Sequence, residues 1–584
     1  MKKQSRREFL KALGAAAASA PVFSVLPGFA KVGGAPGAGK KQPNVVLVIT
    51  DDQGYGDLGC HGNPVLKTPN LDSLYGQSVR LNNFHVSPTC SPTRAALMTG
   101  RYCNRTGVWH TVMGRSLLRK DEVTMADVFT AGGYKTGIFG KWHLGDNYPF
   151  RPQDRGFDQV LIHGGGGIGN TQDYWGNDYF DDTYFRNGKP EKFTGYCTDV
   201  WFREAMKFIE ANKDRPFFCY LPTNAPHGPL RVPEKYSAPY WGKGVKALLC
   251  GMIANIDENM GLLMSRLKEL GIEDNTILIF MTDNGTAGGR FNAGMRGSKG
   301  SEYDGGHRVP CFIRWPGAGI EGGLDINRIT AHIDMLPTLI ELCSLKEPDG
   351  VKLDGDSLVP LLKGNDKNSP DRTLITDSQR VEYPIKWRKS AVMTDRWRLV
   401  NGEELYDMKA DPGQRDNVKD KYPEVFAKLR NDYESWWADV SERFLEYCGI
   451  IIGSDKENPA KLTSHDWHDH GPWNQDQVRQ GEKRNGFWAV EVARDGEYEI
   501  ALRRWPLEVD APITAAIADG QAISASTARL RIADFDRTRP IPRDAAAVTF
   551  KLKLKAGNTR LQTWFIDDNG ESRGAYYVYA KRLD

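Results

Sequence analysis

The sequence predicts an α/β fold: a large mixed, mostly parallel sheet flanked by helices, then a small α+β C-terminal subdomain and an appended β-sandwich segment. Three observations carry this reading. Short continuous apolar runs recur, as in "NVVLVIT" and "TILIFMT", and runs of that length are strands buried on both faces. Helical patterns alternate with them over about 300 residues, which builds a parallel sheet covered by helices. Past residue 455 the texture changes to alternating strands punctuated by turns, the pattern of a sandwich.

Taken in order, residues 1–30 place Arg6 and Arg7 ahead of a modestly apolar stretch that ends in small residues. This is the pattern of a twin-arginine signal peptide, cleaved after Ala30. It implies a partner, the twin-arginine export machinery, and a folded protein delivered to the periplasm or secreted. Residues 31–43 read as a flexible linker. Residues 44–369 form the α/β domain, with strand-like runs in "NVVLVITDDQG", "YKTGIFGKWHLG", "RPFFCYLPTNAPHGP" and "TILIFMTDNG". A helix is predicted over Val245–Leu270, closed by Gly271. Residues 370–454 form the α+β subdomain, with strands turning at Asn401-Gly402 and a helix in "YPEVFAKLRNDYESWWADV". Residues 455–584 are β-rich, with strands around Asp495-Gly496.

Bulk properties exclude several classes. The net charge of the 584 residues is +3, but Lys2, Lys3, Arg6, Arg7 and Lys11 against Glu8 give the leader +4, leaving −1. That balance supplies no basic face for nucleic acid. After the leader no apolar run approaches the roughly 20 residues of a membrane span. The nine cysteines are odd in number, irregularly spaced and without a CxxC, so they make neither a disulfide framework nor a zinc ribbon. Cys219 and Cys250 sit in apolar runs and read as core.

The polar residues that are costly to bury fall just after the apolar runs, where ligands bind in open α/β sheets. Asp51 and Asp52 end the first run; Asp283 and Asn284 end "TILIFMTDNG". If those two strands are neighbours, an all-oxygen set converges, which suits Ca²⁺ or Mg²⁺ and not zinc. The competing reading is loop capping by Asp and Asn. Lys141 and His143 in "FGKWHLG" share a side if the chain is extended there. His227 in "NAPHGP", and Lys299 and His307 in "RGSKGSEYDGGHRVP", follow similar runs. Lysine is a point charge for an oxyanion, and histidine moves protons near neutral pH.

In "SPTCSPTRAALMTGR", Ser91-Pro92 reads as N-cap and first residue of a helix. Cys90 then lies at the positive end of the helix dipole, where a thiol pKa is expected to fall. Arg94, one turn in, reaches back to the same place. Cys90 is thus a buried structural cysteine, a thiolate nucleophile, or a cysteine rewritten into something else. Soft sulfur matches poorly with a hard cation, and residue chemistry alone leaves that tension standing.

"CSPTRAALMTGR" resembles the signature of the type I sulfatases, of the alkaline phosphatase superfamily. "TDDQGYGDLGC", "GKWHLG", "APHGPL", "TDNG" and "KGSEYDGGHRVP" match other family motifs in order, and the resemblance spans about residues 44–440. It implies that a separate maturation enzyme oxidises Cys90 to Cα-formylglycine. The hydrated aldehyde would be the nucleophile and an oxygen ligand of the metal. Asp51, Asp52, Asp283 and Asn284 would bind Ca²⁺. Arg94 would steady the nucleophile, and Lys141, His227 and Lys299 would hold the sulfate and help the leaving group depart. His143 would take a proton from the second hydroxyl of the diol, releasing sulfate. One departure is Asp304, where many relatives have Glu.

The expected activity is hydrolysis of sulfate esters, by an arylsulfatase-type enzyme acting on a sulfated small molecule or carbohydrate. The alternatives are a phosphate or phosphonate monoester hydrolase of the same superfamily, or a non-catalytic carbohydrate-binding relative. In the C-terminal segment, His465, His468 and His470 read as a solvated or pocket-rim loop rather than a metal cluster. Trp467, Trp473 and Trp488 read as sandwich core, with sugar stacking as the other possibility.

Overall fold

A ten-stranded sheet organises the first part of the chain in the computed structural model, which describes residues 42–288, 291–365 and 371–584. The twin-arginine leader and most of the linker lie outside the described residues. The strand order across the sheet is 325–326, 79–81, 311–314, 276–282, 44–50, 217–222, 135–140, 159–162, 183–186 and 189–192. The five strands from 276–282 to 159–162 run parallel. Strands 311–314 and 183–186 flank them in the antiparallel sense.

The central strands are buried on both faces because their side chains alternate between two cores. Val45, Leu47, Ile49, Ile277, Ile279 and Met281 point to one side, against helices Cys90–Thr99, Met125–Ala131 and Met335–Leu342. Val46, Val48, Leu278 and Phe280 point to the other, against helices Pro69–Gln77, Cys197–Asn212 and Ala247–Glu269. The last of these stands where the helical periodicity predicts, with Gly271 following in a left-handed conformation at φ 65°. Cys219 is buried in this packing, and Cys250 in a small neighbouring cluster with Leu66, Tyr240 and Ile253.

A four-stranded antiparallel sheet follows, from strands 374–377, 390–393, 397–400 and 404–407, with the last hairpin turning at Asn401-Gly402. Helix Pro423–Val440 covers it, packing Leu429, Tyr433 and Trp436 on Val392, Leu399 and Leu405. Two further sheets close over one core. One holds strands 450–452, 487–492, 557–566, 527–532 and 535–540, with 572–573 paired on 557–566; the other holds 460–463, 577–582, 496–503 and 548–554. Trp467, Trp488, Ile500, Phe550 and Leu561 are shared between them. The strands on either side of Asp495-Gly496 do not pair with each other. Strand 487–492 joins the first sheet and 496–503 the second, so this turn carries the chain across the sandwich. Two alternating strands around Asp-Gly fit a hairpin or a crossover equally well, and burial of both inner faces decides between them.

Residues 42–584 pack as one unit. A buried ion pair joins the small sheet to the large domain. Arg398 Nε lies 2.9 Å from Asp304 Oδ1, with both side chains out of solvent. Its Nη2 donates to Asn83 Oδ1 at 3.0 Å and lies 3.1 Å from His85 Nε2. Asp304 is held well below the usual carboxylate range, because Arg398 and nearby His85 and His307 outweigh the effect of burial. His307 belongs here, its Nδ1 2.9 Å from His85 Nδ1, and not with the residues that follow the parallel strands.

Replacing one member of a buried pair strands the other charge, which costs about 3–5 kcal/mol. Arg398→Met is therefore expected to lower the thermal unfolding midpoint by several degrees at pH 7, followed by calorimetry. A midpoint within one degree of wild type would contradict this account of the junction.

Candidate active site

The parallel register builds the floor of the site. Thr50 lies opposite Thr282, so the two central strands end level and the residues after each converge. Asp51, Asp52 and Asp283 bring carboxylate oxygens within 4.8 Å of one another. Asp52 N donates to Asp283 Oδ1 at 3.1 Å, and Asn284 Nδ2 donates to Asp52 Oδ1 at 2.9 Å. All four residues are buried. Two acceptors, Asp51 Oδ1 and Asn284 Oδ1, have no hydrogen-bond donor. Buried oxygens left without a donor are costly, and a hard cation satisfies them. The all-oxygen donor set therefore fits Ca²⁺ or Mg²⁺.

Three cations balance the three carboxylates. Arg94 Nη2 is 2.9 Å from Asp283 Oδ2, while its Nη1 donates to the Lys141 carbonyl at 3.0 Å. Lys141 pairs with Asp51, and Lys299 Nζ is 2.5 Å from Asp52 Oδ1. Burial would raise the Asp51 carboxyl, but Lys141 and the cations beyond it hold it well below the usual range. Asp283 goes the other way, pushed up to about 7 by burial and by the Asp51 charge despite Arg94. The fixed charges cancel, so an added divalent cation makes the site electropositive and receptive to an oxyanion.

Cys90 stands above this floor as the first residue of helix Cys90–Thr99, with Thr89 in the N-cap position. The helix thus starts two residues before the Ser91-Pro92 start read from sequence. Cys90 is 2% exposed, and its thiol pKa is raised, to about 11. Burial outweighs Lys141 and Lys299, which act in the opposite direction. The depression expected at a helix N-terminus is overturned: the thiol here is a protonated, poor nucleophile.

Lys141 and His143 do not lie on an extended chain. The strand stops at Gly140, whose φ of 131° and close approach to the Pro222 carbonyl leave no room for a Cβ, and His143 has φ 62°. The chain bends, sending Lys141 down to Asp51 and His143 up to the cavity. His143 Nε2 bonds the Thr111 carbonyl at 2.8 Å and must carry the proton, leaving Nδ1 as a buried lone pair with no partner. Burial, then Lys141, keep this ring neutral well below its ordinary pKa. His227 is oriented in the opposite tautomer. Its Nδ1 donates to the Gly228 carbonyl at 2.7 Å and its Nε2 is 3.7 Å from Asp52 Oδ2.

Cys90, His143, His227 and Lys299 line one cavity of about 450 Å³, enough for a sugar ring as well as an oxyanion. Its upper wall comes from residues that local sequence did not single out: His110, Asn170 and Arg380. His465 and His470 line it too, as the rim reading of that loop anticipates, whereas His468 turns away to Glu382 at 3.0 Å. Trp467 and Trp488 are core, but Trp473 is 42% exposed at the cavity mouth. These residues arrive because the sandwich is stitched to two loops of the large domain. Met113 N donates to the His465 carbonyl at 2.9 Å, Thr171 N to the Trp473 carbonyl at 3.2 Å, and Gln475 N to the Gly169 carbonyl at 2.9 Å. No motif marks Arg380 or His110, since only distant packing brings them in.

The sulfatase family profile matches residues 43–345, and a profile described as N-sulphoglucosamine sulphohydrolase, C-terminal, matches 298–443. The chain is 33% identical to human arylsulfatase A over 64% of its own length and 78% of the relative's. It is 31% identical to an ulvan-active sulfatase of Formosa agariphila, over 68% of this chain and 80% of that protein. The crystal structure of Ps i-CgsB in complex with k-i-k-neocarrahexaose superposes with a TM-score of 0.64 at 28% identity, over 70% of this chain and 95% of that one. A phosphonate monoester hydrolase of Agrobacterium radiobacter, at 22% identity and a TM-score of 0.53, shares the fold.

Gly166 packs directly on the His143 ring: a Cβ there would lie 2.3 Å from Nε2 and Cε1. Gly166→Ala must displace the imidazole from the Thr111 carbonyl. The expected result is a loss of turnover of about 10²-fold or more, with a thermal midpoint close to wild type. Unchanged steady-state kinetics would show that His143 is not held where the chemistry needs it. The Cys90 thiol, if unmodified, is expected to react with iodoacetamide at pH 7.5 no faster than the other buried cysteines, as read by peptide mass spectrometry.

Proposed function

This chain belongs to the sulfatase family and is a sulfuric ester hydrolase, and we propose that it cleaves sulfate esters of a carbohydrate through a formylglycine made from Cys90, with Ca²⁺ bound beside it. The observation that carries the reading is the pair of donorless buried oxygens, Asp51 Oδ1 and Asn284 Oδ1, beneath a thiol that burial keeps protonated. A cation fits the first feature. Oxidation of Cys90 by a separate maturation enzyme removes the second and supplies a hard oxygen.

Asp51, Asp52, Asp283 and Asn284 would hold the ion with an oxygen at position 90, and the ion supplies Lewis-acid stabilisation of charge on the sulfate oxygens. Arg94, clamped by Asp283 and the Lys141 carbonyl, fixes the helix turn that carries the nucleophile. Lys141 and Lys299 provide positive charge where the equatorial oxygens develop negative charge. His227 Nε2 is the ring nitrogen left free and would deliver a proton to the leaving oxygen from the doubly protonated ring. Burial and Lys299 lower the pKa of that ring, so the protonated form is the minor one near neutral pH and a strong acid when present. His143 Nδ1 accepts the proton whose removal releases sulfate. Because this ring stays neutral well below its usual pKa, the acid limb of kcat is expected to lie below the ordinary histidine range.

A carbohydrate substrate is supported by the size of the cavity, by Trp473 at its mouth, and by relatives named as N-acetylgalactosamine-6-sulfatase and ulvan-active sulfatase. The leader with Arg6 and Arg7 supports export to the periplasm or medium through the twin-arginine machinery. Among the described residues no helix is long and apolar enough to cross a membrane.

Mass spectrometry of the tryptic peptide Leu81–Arg94, from protein made in a host with the maturation enzyme, is expected to find the aldehyde in place of the thiol. Sulfate release from 4-nitrophenyl sulfate or sulfated sugars should fall at least about 10³-fold in Cys90→Ala. It should be lost on dialysis against a calcium chelator and return with Ca²⁺. A thiol at position 90 in fully active protein would overturn the mechanism. Faster cleavage of 4-nitrophenyl phosphate than of any sulfate ester would make the chain a phosphomonoesterase on this scaffold.

A further inference from the structure

The cavity has two separate sets of groups suited to anions. The floor set, Lys141 and Lys299, is already matched by Asp51 and Asp52. The upper set is not matched. Arg380 is exposed, lines the cavity, and among the described residues its guanidinium forms no ion pair or hydrogen bond; only its backbone N–H is bonded, to the Trp109 carbonyl at 3.3 Å. Its Nη1 lies 4.0 Å from where a Cβ on Gly300 would stand, one residue beyond Lys299, so it overlooks the floor.

His110 lines the cavity with it. His110 Nδ1 accepts the backbone N–H groups of Thr111 at 2.7 Å and Val112 at 3.2 Å, which fixes the tautomer with Nε2–H as donor. Among the described residues that N–H has no acceptor. His470, from the sandwich loop, is exposed on the same wall. The one carboxylate on this wall, Asp469, accepts the His470 backbone N–H at 2.7 Å. A planar, unpaired guanidinium beside a fixed imidazole donor is a receptor for a second oxyanion.

We infer that Arg380, with His110, forms a second anion subsite, so that the preferred substrate is a sugar carrying another acidic group besides the sulfate that is removed. This rests on the sulfatase reading above. The shared chemistry is an oxyanion on a carbohydrate, either a uronate carboxylate or a second sulfate. Trp473, exposed where this cavity meets a neighbouring groove also lined by Asn170 and His227, gives the adjoining sugar a face to stack on.

The test uses the full chain, with the aldehyde at position 90 verified, and three probes: N-acetylgalactosamine 6-sulfate, a disaccharide that adds a uronate, and a disaccharide that adds a second sulfate. Sulfate release is followed by ion chromatography. For Arg380→Ala the ratio of kcat/KM on a doubly anionic probe to that on the singly anionic one is expected to fall about 10- to 100-fold, carried by KM. Arg380→Lys should recover part of it. The greater loss identifies the carboxylate or the sulfate as the partner. Calorimetry on Cys90→Ser protein reads the same ratio in Kd, for sugars bound but not cleaved. An unchanged ratio, or equal losses on all probes, overturns the second subsite while leaving the sulfatase reading intact. Sulfate release from no probe and from no other sulfate ester, in aldehyde-bearing protein, overturns that reading and this inference with it.

Discussion

Three carboxylates, an amide and two cations buried at the ends of two strands, with the partly exposed Lys299 beside them, are the constraint around which the rest of the protein is arranged. Each charge would cost several kcal/mol to bury alone. They persist because the register ending Thr50 level with Thr282 sets Asp51, Asp52, Asp283 and Asn284 face to face, and because Arg94, Lys141 and Lys299 arrive from three other segments to neutralise them. The β-strand Lys135–Gly140, the helix from Cys90 and the glycine-rich loop through Lys299 each deliver one of these cations. Displacing any one of those segments would leave a buried carboxylate uncompensated.

The same burial decides the chemistry of position 90. A helix N-terminus and two lysines favour a thiolate, yet complete desolvation is the larger effect and leaves the thiol protonated. In the proposed mechanism an oxygen in place of that sulfur would sit beside the cation, where the same burial strengthens the electrostatics of an oxyanion.

The sandwich is part of the active-site wall. Its loop from His465 to Gln475 is hydrogen-bonded to the 110–115 and 169–171 loops, which brings His465, His470 and Trp473 to the cavity. The small sheet contributes Arg380 in the same way, and the buried Asp304–Arg398 pair ties that sheet to the turn that follows Lys299. The floor, which in the proposed mechanism would handle the sulfate, thus comes from the α/β sheet. The walls, which would meet the rest of the substrate, come from the parts of the chain that follow.

The sequence by itself determined the strands, the long helix and the set of floor residues, because each depends on local pattern. Buried strands read as unbroken apolar runs, and expensive polar residues placed directly after them have few other uses. Tertiary structure alone decided the rest. The pKa of Cys90 depended on how much of its surroundings exclude water, which no neighbour in sequence reveals. Whether the strands beside Asp495-Gly496 pair or part was set by which sheet buries each inner face. Arg380 and His110 became cavity residues only through contacts hundreds of residues apart. Local spacing encodes secondary structure and the chemistry at its ends; desolvation, charge balance and loop convergence are properties of the assembled chain.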